Sequence, residues 1–162
     1  MNPAAFDAYK FETGPSDPRL AECLKGFPPA IFSERLYQSI ELMERYSIEV
    51  AVDLLGQLNL VEQLAAWRSA EELCELLGFQ PRFRLALGWI LARLVETGCL
   101  EVNGDGESRT YHLRKIPWEP DLKCLRALGL KIDPGNAATL DLLDLAASLY
   151  PAVATGRRPR SR

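Results

Sequence analysis

Apolar residues recur at helical spacing over the first half of the chain. Ser33 is placed to cap a helix that runs to about Tyr46. A second helix follows from Ile48, and its apolar positions spread wider than the stripe of a one-sided surface helix. These positions are Val50, Ala51, Val52, Leu54, Leu55, Leu58, Leu60, Val61 and Leu64. The pattern predicts a helix that is buried on most sides, either in a core or in a subunit interface.

A strong helix start follows at Ser69-Ala-Glu-Glu72. The Ser69 hydroxyl can accept a bond from the third backbone N–H of the helix, and Glu72 can reach back to the cap. Pro81 stands where a first helical turn tolerates proline, and Gly98 is suited to end that helix in a left-handed conformation. The spacing therefore predicts helices over 69–77 and 81–97.

The glycine-dense stretch "GCLEVNGDGESRTY", residues 98–111, decides between a cofactor loop and a turn. A dinucleotide or SAM loop needs a helix directly after its glycines, so that backbone N–H groups and the helix dipole meet the ligand. Here the alternating pattern predicts an antiparallel pair of strands near 99–103 and 109–113, joined by a turn. The glycines are therefore assigned to a hairpin.

Two more helical segments follow the hairpin, at 120–128 and from about Asn136 to Tyr150, where Pro151 is expected to end the second helix. The order of elements predicts a mainly α fold, a winged helix-turn-helix with a two-stranded β-hairpin wing and flanking helices. The division expected is a helical extension over 1–46, a winged-helix domain over 47–116, a helical linker or lid over 117–151 and a disordered basic tail over 152–162. Within the extension, a short helical stretch is predicted around 20–25.

Charge is unevenly distributed along the chain. The formal net charge is −3, but the last six residues contribute four arginines, so residues 1–156 hold 15 basic against 22 acidic side chains. The predicted winged-helix region, over 47–115, holds seven basic and ten acidic side chains. Because phosphate neutralisation supplies most of the affinity for nucleic acid, an acidic body makes nucleic acid an unexpected partner.

Neither a secretory signal nor a membrane span is evident. The longest apolar run, Leu85–Ala92, is far shorter than the roughly 20 residues that a bilayer requires. The four cysteines, Cys23, Cys74, Cys99 and Cys124, lie far apart and among apolar neighbours. They are expected to be reduced, buried thiols in a cytoplasmic protein.

Few residues suggest chemistry. His112, the only histidine, falls on the second predicted strand and is interpreted as a surface or half-buried residue rather than a base. Asp141 and Asp144 are one helical turn apart and are interpreted as exposed charges on a helix. Trp67, Trp89 and Trp118 could line a substrate channel, but core or interface packing is favoured. No catalytic, cofactor-binding or metal-binding residue is assigned.

Residues 51–114 resemble the N-terminal winged-helix, or dimerisation, domain of class I SAM-dependent O-methyltransferases and related small-molecule methyltransferases. The resemblance lies in "LGQLNLVEQLAAWRSAEELCELLGF" (55–79), "PRFRLALGWILARLVETGCLEV" (81–102) and "GDGESRTYHL" (104–113). The last segment is similar to a wing that ends "YxLT", although Arg114 stands where the family has Thr. The helices after it resemble the helical linker or lid of such proteins, including methyltransferase and truncated adapter domains of modular polyketide synthases.

The resemblance implies SAM binding in a later Rossmann-type domain, but the sequence after residue 114 has no strand, glycine loop and helix in succession. No SAM-binding or methyl-transfer residue is therefore carried over, and SAM is expected only if a catalytic domain follows. The chain is either a fragment of a longer enzyme or a stand-alone remnant.

The resemblance predicts a non-catalytic dimerisation element, substrate lid or adapter in polyketide biosynthesis. Its expected partner is a second copy of the chain or a following catalytic domain. No membrane is expected as a partner. The alternative is a winged-helix DNA-binding regulator.

Overall fold

The computed structural model describes Glu22 and residues 25–28, 33–115 and 117–157. The chain divides into two compact units, Met1–Ser33 and Glu34–Arg162. Most of the first unit, including Cys23 and most of the helical stretch predicted around 20–25, lies outside the described residues, as does the end of the tail from 158 onward.

The second unit is mainly helical and includes a small antiparallel sheet. Its helices are α1 (Glu34–Gln57), α2 (Leu60–Gln63), α3 (Ala70–Leu76), α4 (Arg84–Glu96), α5 (Leu122–Ile132) and α6 (Ala137–Thr155). Its strands are β1 (Arg68–Ser69), β2 (Leu100–Asn103) and β3 (Thr110–Leu113). Short 3-10 turns precede α4 and α6, at Pro81–Phe83 and Pro134–Asn136.

Helix α1 is one continuous helix where the sequence predicted two. Ser47, at the predicted break, donates a hydrogen bond from its hydroxyl to the Glu44 carbonyl, which a serine can do inside a helix. On either side of it, Tyr46 and Glu49 are buried by contacts with later parts of the chain. The prediction of two helices was wrong, and the predicted boundary between 46 and 47 falls within a helix. Asn59, with φ 55°, then lets the chain turn into α2.

The apolar residues of α1 and α2 form the centre of the core. The buried set comprises Val50, Ala51, Val52, Leu54, Leu55, Leu58, Leu60 and Leu64, and Val61 packs against it half-buried. They share one cluster with Leu87, Ile90 and Leu91 of α4 and with Leu140 and Ala147 of α6. The wide apolar surface seen in the sequence is therefore covered within the chain, without a second subunit.

The capping box predicted at the start of α3 and the glycine predicted to end α4 are both confirmed. Ser69 and Glu72 form both bonds of the capping box, at 3.1 Å from the Glu72 N–H to the Ser69 hydroxyl and 2.7 Å from the Ser69 N–H to the Glu72 carboxylate. Gly98 has φ 72°, as expected for the residue that ends α4.

The glycine-dense stretch is a hairpin, as predicted. Strand β2 pairs antiparallel with β3 in the register Val102 opposite Tyr111, and β1 pairs with the other edge of β3. The loop between β2 and β3 contains a three-residue 3-10 turn, Gly106–Ser108, and leads directly into β3 rather than into a helix. The third strand, β1, was not predicted because it is only two residues long.

The C-terminal helices are longer than predicted. Helix α5 begins after Asp121, whose side chain accepts from the Cys124 N–H, and extends to Ile132. Helix α6 continues through Pro151 to Thr155, so the prediction that Pro151 ends it was wrong. The last turn is held by the Gln80 N–H, which donates to the Ala154 carbonyl at 2.7 Å. Residues 152–155 are therefore helical and do not belong to a disordered tail.

The crossing of α5 with α1 and α6 generates a stability prediction, because Gly129 of α5 lies against them. A Cβ at Gly129 would lie 2.8 Å from Leu42 Cδ2 and 3.3 Å from Leu140 Cδ1, and both leucines are fully buried. We expect Gly129→Ala to lower the free energy of unfolding by about 1–3 kcal/mol through overpacking. A Cβ at Gly88, also inside a helix, would meet no atom within 4 Å. Gly88→Ala is the matched control and should raise stability by about 0.5–1 kcal/mol.

Urea unfolding of both variants measures the two changes. If Gly129→Ala stabilised the protein as much as Gly88→Ala, the close approach of these helices would be contradicted.

Candidate functional site

A buried carboxylate joins α1 to the segment that precedes α5. Glu49, only 3% exposed, accepts hydrogen bonds from Arg45 Nη2 one turn earlier and from Trp118 Nε1 at 2.7 Å. The Arg45 guanidinium also lies over the Trp118 ring, 5.3 Å from its centroid. The carboxylate, the guanidinium and the indole therefore contact one another.

A second polar cluster joins α1 to α5 and α6. The Tyr46 hydroxyl donates to Asp144, and Arg126 of α5 bridges Asp144 at 2.8 Å and Asp141. Asp141 is exposed, as predicted for both aspartates, whereas Asp144 is half-buried. They form an ion-pair network because Arg126 faces them across the α5–α6 contact.

The surroundings of Tyr46 limit its ability to give up a proton. Burial, together with the hydrogen bond to Asp144, raises the pKa of Tyr46 from 10.0 to about 12. A phenol with this pKa stays a neutral hydrogen-bond donor throughout the physiological range. We therefore assign the cluster to positioning of helices rather than to proton transfer.

The other residues considered from sequence lie in separate surroundings. His112 is half-buried on β3, as predicted, and stacks on Trp67 with 5.2 Å between ring centroids. Trp118 takes part in the Glu49 contacts, whereas Trp89 is exposed on α4. None of the three tryptophans lines the open groove beside the start of α1, which is formed by Glu34, Arg35, Gln38, Leu128, Lys131 and Ile132.

The cysteines and possible metal ligands offer no assembled site in the described part of the chain. Cys74 and Cys99 are buried, as predicted, and burial raises the pKa of the Cys74 thiol. Cys124 is exposed on α5, where a buried thiol was predicted. Among the described residues, no three His, Cys, Asp or Glu side chains meet in a way that could hold a metal ion.

An exposed apolar surface lies on α4, the helix that a DNA-binding winged helix would use for recognition. Leu85 and Trp89, one turn apart, are 79% and 53% exposed. Two arginines of the same helix are engaged by acids: Arg93 contacts Glu96 at 2.6 Å, and Arg84 lies 4.0 Å from Glu71. The exposed part of this surface is therefore apolar, and two of its arginines lie beside carboxylates of the same chain.

A second exposed apolar surface lies on α6. Leu142 and Leu145 are 64% and 56% exposed, and Val153 is 40% exposed. The segment Pro134–Thr155 is long and apolar enough, by length and composition, to cross a membrane. The opposite side of the same helix contributes Leu140, Ala147 and Ala154 to the core.

The buried carboxylate generates the first prediction for the site. Trp118→Phe removes the indole N–H and leaves one Glu49 oxygen without this donor. We expect the free energy of unfolding to fall by about 1–3 kcal/mol, since a buried polar group then loses its partner. Trp89→Phe, the same change at an exposed position, should alter stability by less than about 0.5 kcal/mol. Equal effects of the two substitutions in urea unfolding would refute the role of the Glu49–Trp118 bond.

The raised pKa of Tyr46 generates a pH-dependent prediction. Between pH 10 and 12 the unfolded chain loses the Tyr46 proton while the folded chain keeps it, so unfolding becomes more favourable as pH rises. The contribution of Tyr46 is therefore fully present below pH 10 and is lost toward pH 12. We expect the stability difference between wild type and Tyr46→Phe to fall by about 1 kcal/mol from pH 9 to pH 11. A difference that stayed constant to pH 11 in urea titrations would contradict the shift.

Comparison with known proteins supports the fold. No family model matches the chain, and no curated protein matches it. Among solved structures, the chain is similar to a crystal structure of the CurJ carbon methyltransferase, with a TM-score of 0.66 and 22% sequence identity. The match covers 88% of this chain and 36% of the methyltransferase chain, so this chain spans about a third of the length of that protein. The fold of the chain is thus methyltransferase-like, in the sense that it matches part of one methyltransferase.

Proposed function

We propose that this chain is a non-catalytic, helical domain of a methyltransferase-like protein in polyketide biosynthesis, acting as a lid or adapter for a SAM-binding catalytic domain. The observation that carries the proposal is the match of nearly the whole chain to about a third of a carbon methyltransferase. The sequence resemblance of 51–114 to methyltransferase winged-helix domains supports the same assignment.

The arrangement of small elements supports a winged-helix unit within this domain. Helices α3 and α4 are followed by the β2–β3 hairpin, and β1 completes a three-stranded sheet in the order β1-β3-β2. The glycines of the hairpin turn the chain between strands. SAM would then be bound by the partner domain and not by this loop.

A lid or adapter role fits the core better than dimerisation through α1. The dimer expected from sequence rested on the apolar residues after Ile48, and these are covered by other elements of the same chain. Among the described residues, the exposed apolar surfaces that a partner could cover include the faces of α4 and α6. We place the protein in the cytoplasm, in line with the free thiols of the three described cysteines, Cys74, Cys99 and Cys124.

Binding of SAM tests the non-catalytic role. Calorimetry of the isolated chain with SAM should show no saturable heat at micromolar protein. A second experiment mixes this chain with the SAM-binding domain that we expect in the same reading frame or in a neighbouring gene, after that domain has been purified separately. Sedimentation of the mixture should show a complex of one chain with one SAM-binding domain. Stoichiometric SAM binding by this chain alone, or the lack of any such catalytic domain in the surrounding coding sequence, would overturn the proposal.

Duplex DNA tests the alternative of a transcriptional regulator. Because the arginines of α4 face acidic partners, we expect only weak, salt-sensitive binding through the basic tail. The comparison is between the full chain and a chain that ends after Gly156, which keeps α6 complete. Tight, sequence-selective binding that survives removal of the tail would favour the regulator.

A further inference from the structure

The tip of the β2–β3 hairpin contains an asparagine followed by a glycine. Asn103 is the last residue of β2, and both Asn103 and Gly104 are exposed to solvent. In such a pair the backbone nitrogen of the glycine lies within reach of the side-chain amide carbon of the asparagine, and their reaction closes a five-membered ring. Glycine favours this step because it has no Cβ to crowd the approach and accepts many backbone angles; Gly104 has φ 81°.

The hydrogen bonds of the hairpin leave the two reacting groups unrestrained. Among the residues that the structure describes, the Gly104 N–H and the Asn103 side-chain amide have no hydrogen-bond partner. The bonds of the loop begin at Asp105, whose carbonyl accepts from the Ser108 N–H at 3.0 Å and from the Ser108 hydroxyl at 2.8 Å. The nucleophile and the carbon that it would attack can therefore approach each other without breaking a bond of the fold.

The two other asparagines in the described part of the chain are protected from the same reaction. The Asn136 side-chain amide donates to the Ser39 hydroxyl and to the Gly129 carbonyl, each at 3.0 Å, and is held in place by these bonds. Asn59 precedes Leu60, a fully buried residue that begins α2, so the backbone nitrogen that would attack is crowded by a side chain and fixed at a helix start.

We propose that Asn103 is a site of spontaneous deamidation in the folded protein. The Gly104 nitrogen bonds to Asn103 Cγ, the Cγ–Nδ2 bond breaks, and Nδ2 leaves as ammonia with the proton that the Gly104 nitrogen gives up. Water then opens the succinimide ring. Opening at the Cγ carbonyl gives aspartate, and opening at the main-chain carbonyl gives isoaspartate. This inference rests on the hairpin alone and does not require the proposed function.

Both products change the hairpin tip. Each adds a carboxylate two residues before Asp105. Isoaspartate also lengthens the main chain by one carbon where Asn103 faces Thr110, which disturbs the last strand pair as a bulge does. The next pair, Val102 opposite Tyr111, is anchored by the buried Tyr111 ring. The disturbance is therefore confined to the tip.

Peptide mapping by mass spectrometry of the full chain, incubated at mildly alkaline pH, tests the site. Asn103 should gain the mass that accompanies exchange of an amide NH2 for a hydroxyl. We expect this reaction to be at least about tenfold faster than at Asn136, whose two hydrogen bonds must break first. The rate should increase with hydroxide concentration, because the attacking nitrogen must lose its proton. Asn103→Gln should leave position 103 unreacted, because its longer side chain would have to close a larger ring.

A synthetic peptide of residues 98–111, kept reduced, gives the rate of the same pair outside the fold. Asn103 in the protein should react within about tenfold of the peptide, since no bond of the hairpin restrains the reacting groups. Stronger protection than this, or a rate less than about tenfold above that of Asn136, would overturn the proposal.

Hydrogen exchange of the purified isoaspartate form tests the effect on the hairpin. Asn103→Asp is the matched control, because it carries the added carboxylate on an unchanged main chain. Amides over 103–110 should exchange about tenfold faster in the isoaspartate form than in Asn103→Asp. Equal exchange in the two proteins would refute the disturbance of the strand pair.

Discussion

The structure depends on a carboxylate that α1 buries in its middle. Glu49 is only 3% exposed, and a carboxylate that is removed from water in this way is stable only if other groups hydrogen-bond to it. Arg45 satisfies it from the same helix, and Trp118 satisfies it from 69 residues further along the chain. The segment before α5 is thereby tied to α1. One turn earlier on α1, Tyr46 makes the equivalent connection to α6 through Asp144.

These two connections explain why the apolar residues in the second half of α1 are covered within the chain. Once α5 and α6 are held against it, the apolar residues of α1 face α4 on one side and the C-terminal helices on the other. Among the described residues, exposed apolar side chains remain on the outer sides of α4 and α6, at Leu85 and Trp89 and at Leu142 and Leu145, and also at the start of α1, at Leu36 and Ile40. The interior contacts therefore decide where a partner can bind.

Local sequence signals predicted the elements whose causes are local. The capping box at Ser69, the left-handed Gly98 and the strand alternation around the hairpin each act within a few residues, and each is confirmed. The errors concern contacts between distant residues. Nothing near Tyr46 or Pro151 in sequence indicates that α1 continues through one and α6 through the other, because both helices are held by tertiary contacts. The Glu49–Trp118 and Arg126–Asp144 pairs are missed for the same reason. Apolar periodicity likewise shows that a helix has an apolar face but not which element covers it.

The pairing of charges near the exposed apolar surfaces bears on the proposed function. Most fixed charges near the two exposed apolar surfaces are paired with opposite charges in the chain: Arg93 with Glu96 on α4, and Arg126 with two aspartates at α6. Paired charges attract phosphate and anionic lipid weakly, whereas apolar side chains between them gain free energy when another protein surface removes them from water. Helix positions that are fixed by buried polar contacts, together with exposed apolar side chains on α4 and α6, support the proposed role of a lid or adapter for a neighbouring domain. In the described part of the chain, Glu49, Tyr46 and Asp144 hold helices together, and this structural use of the buried polar groups supports the proposed non-catalytic role.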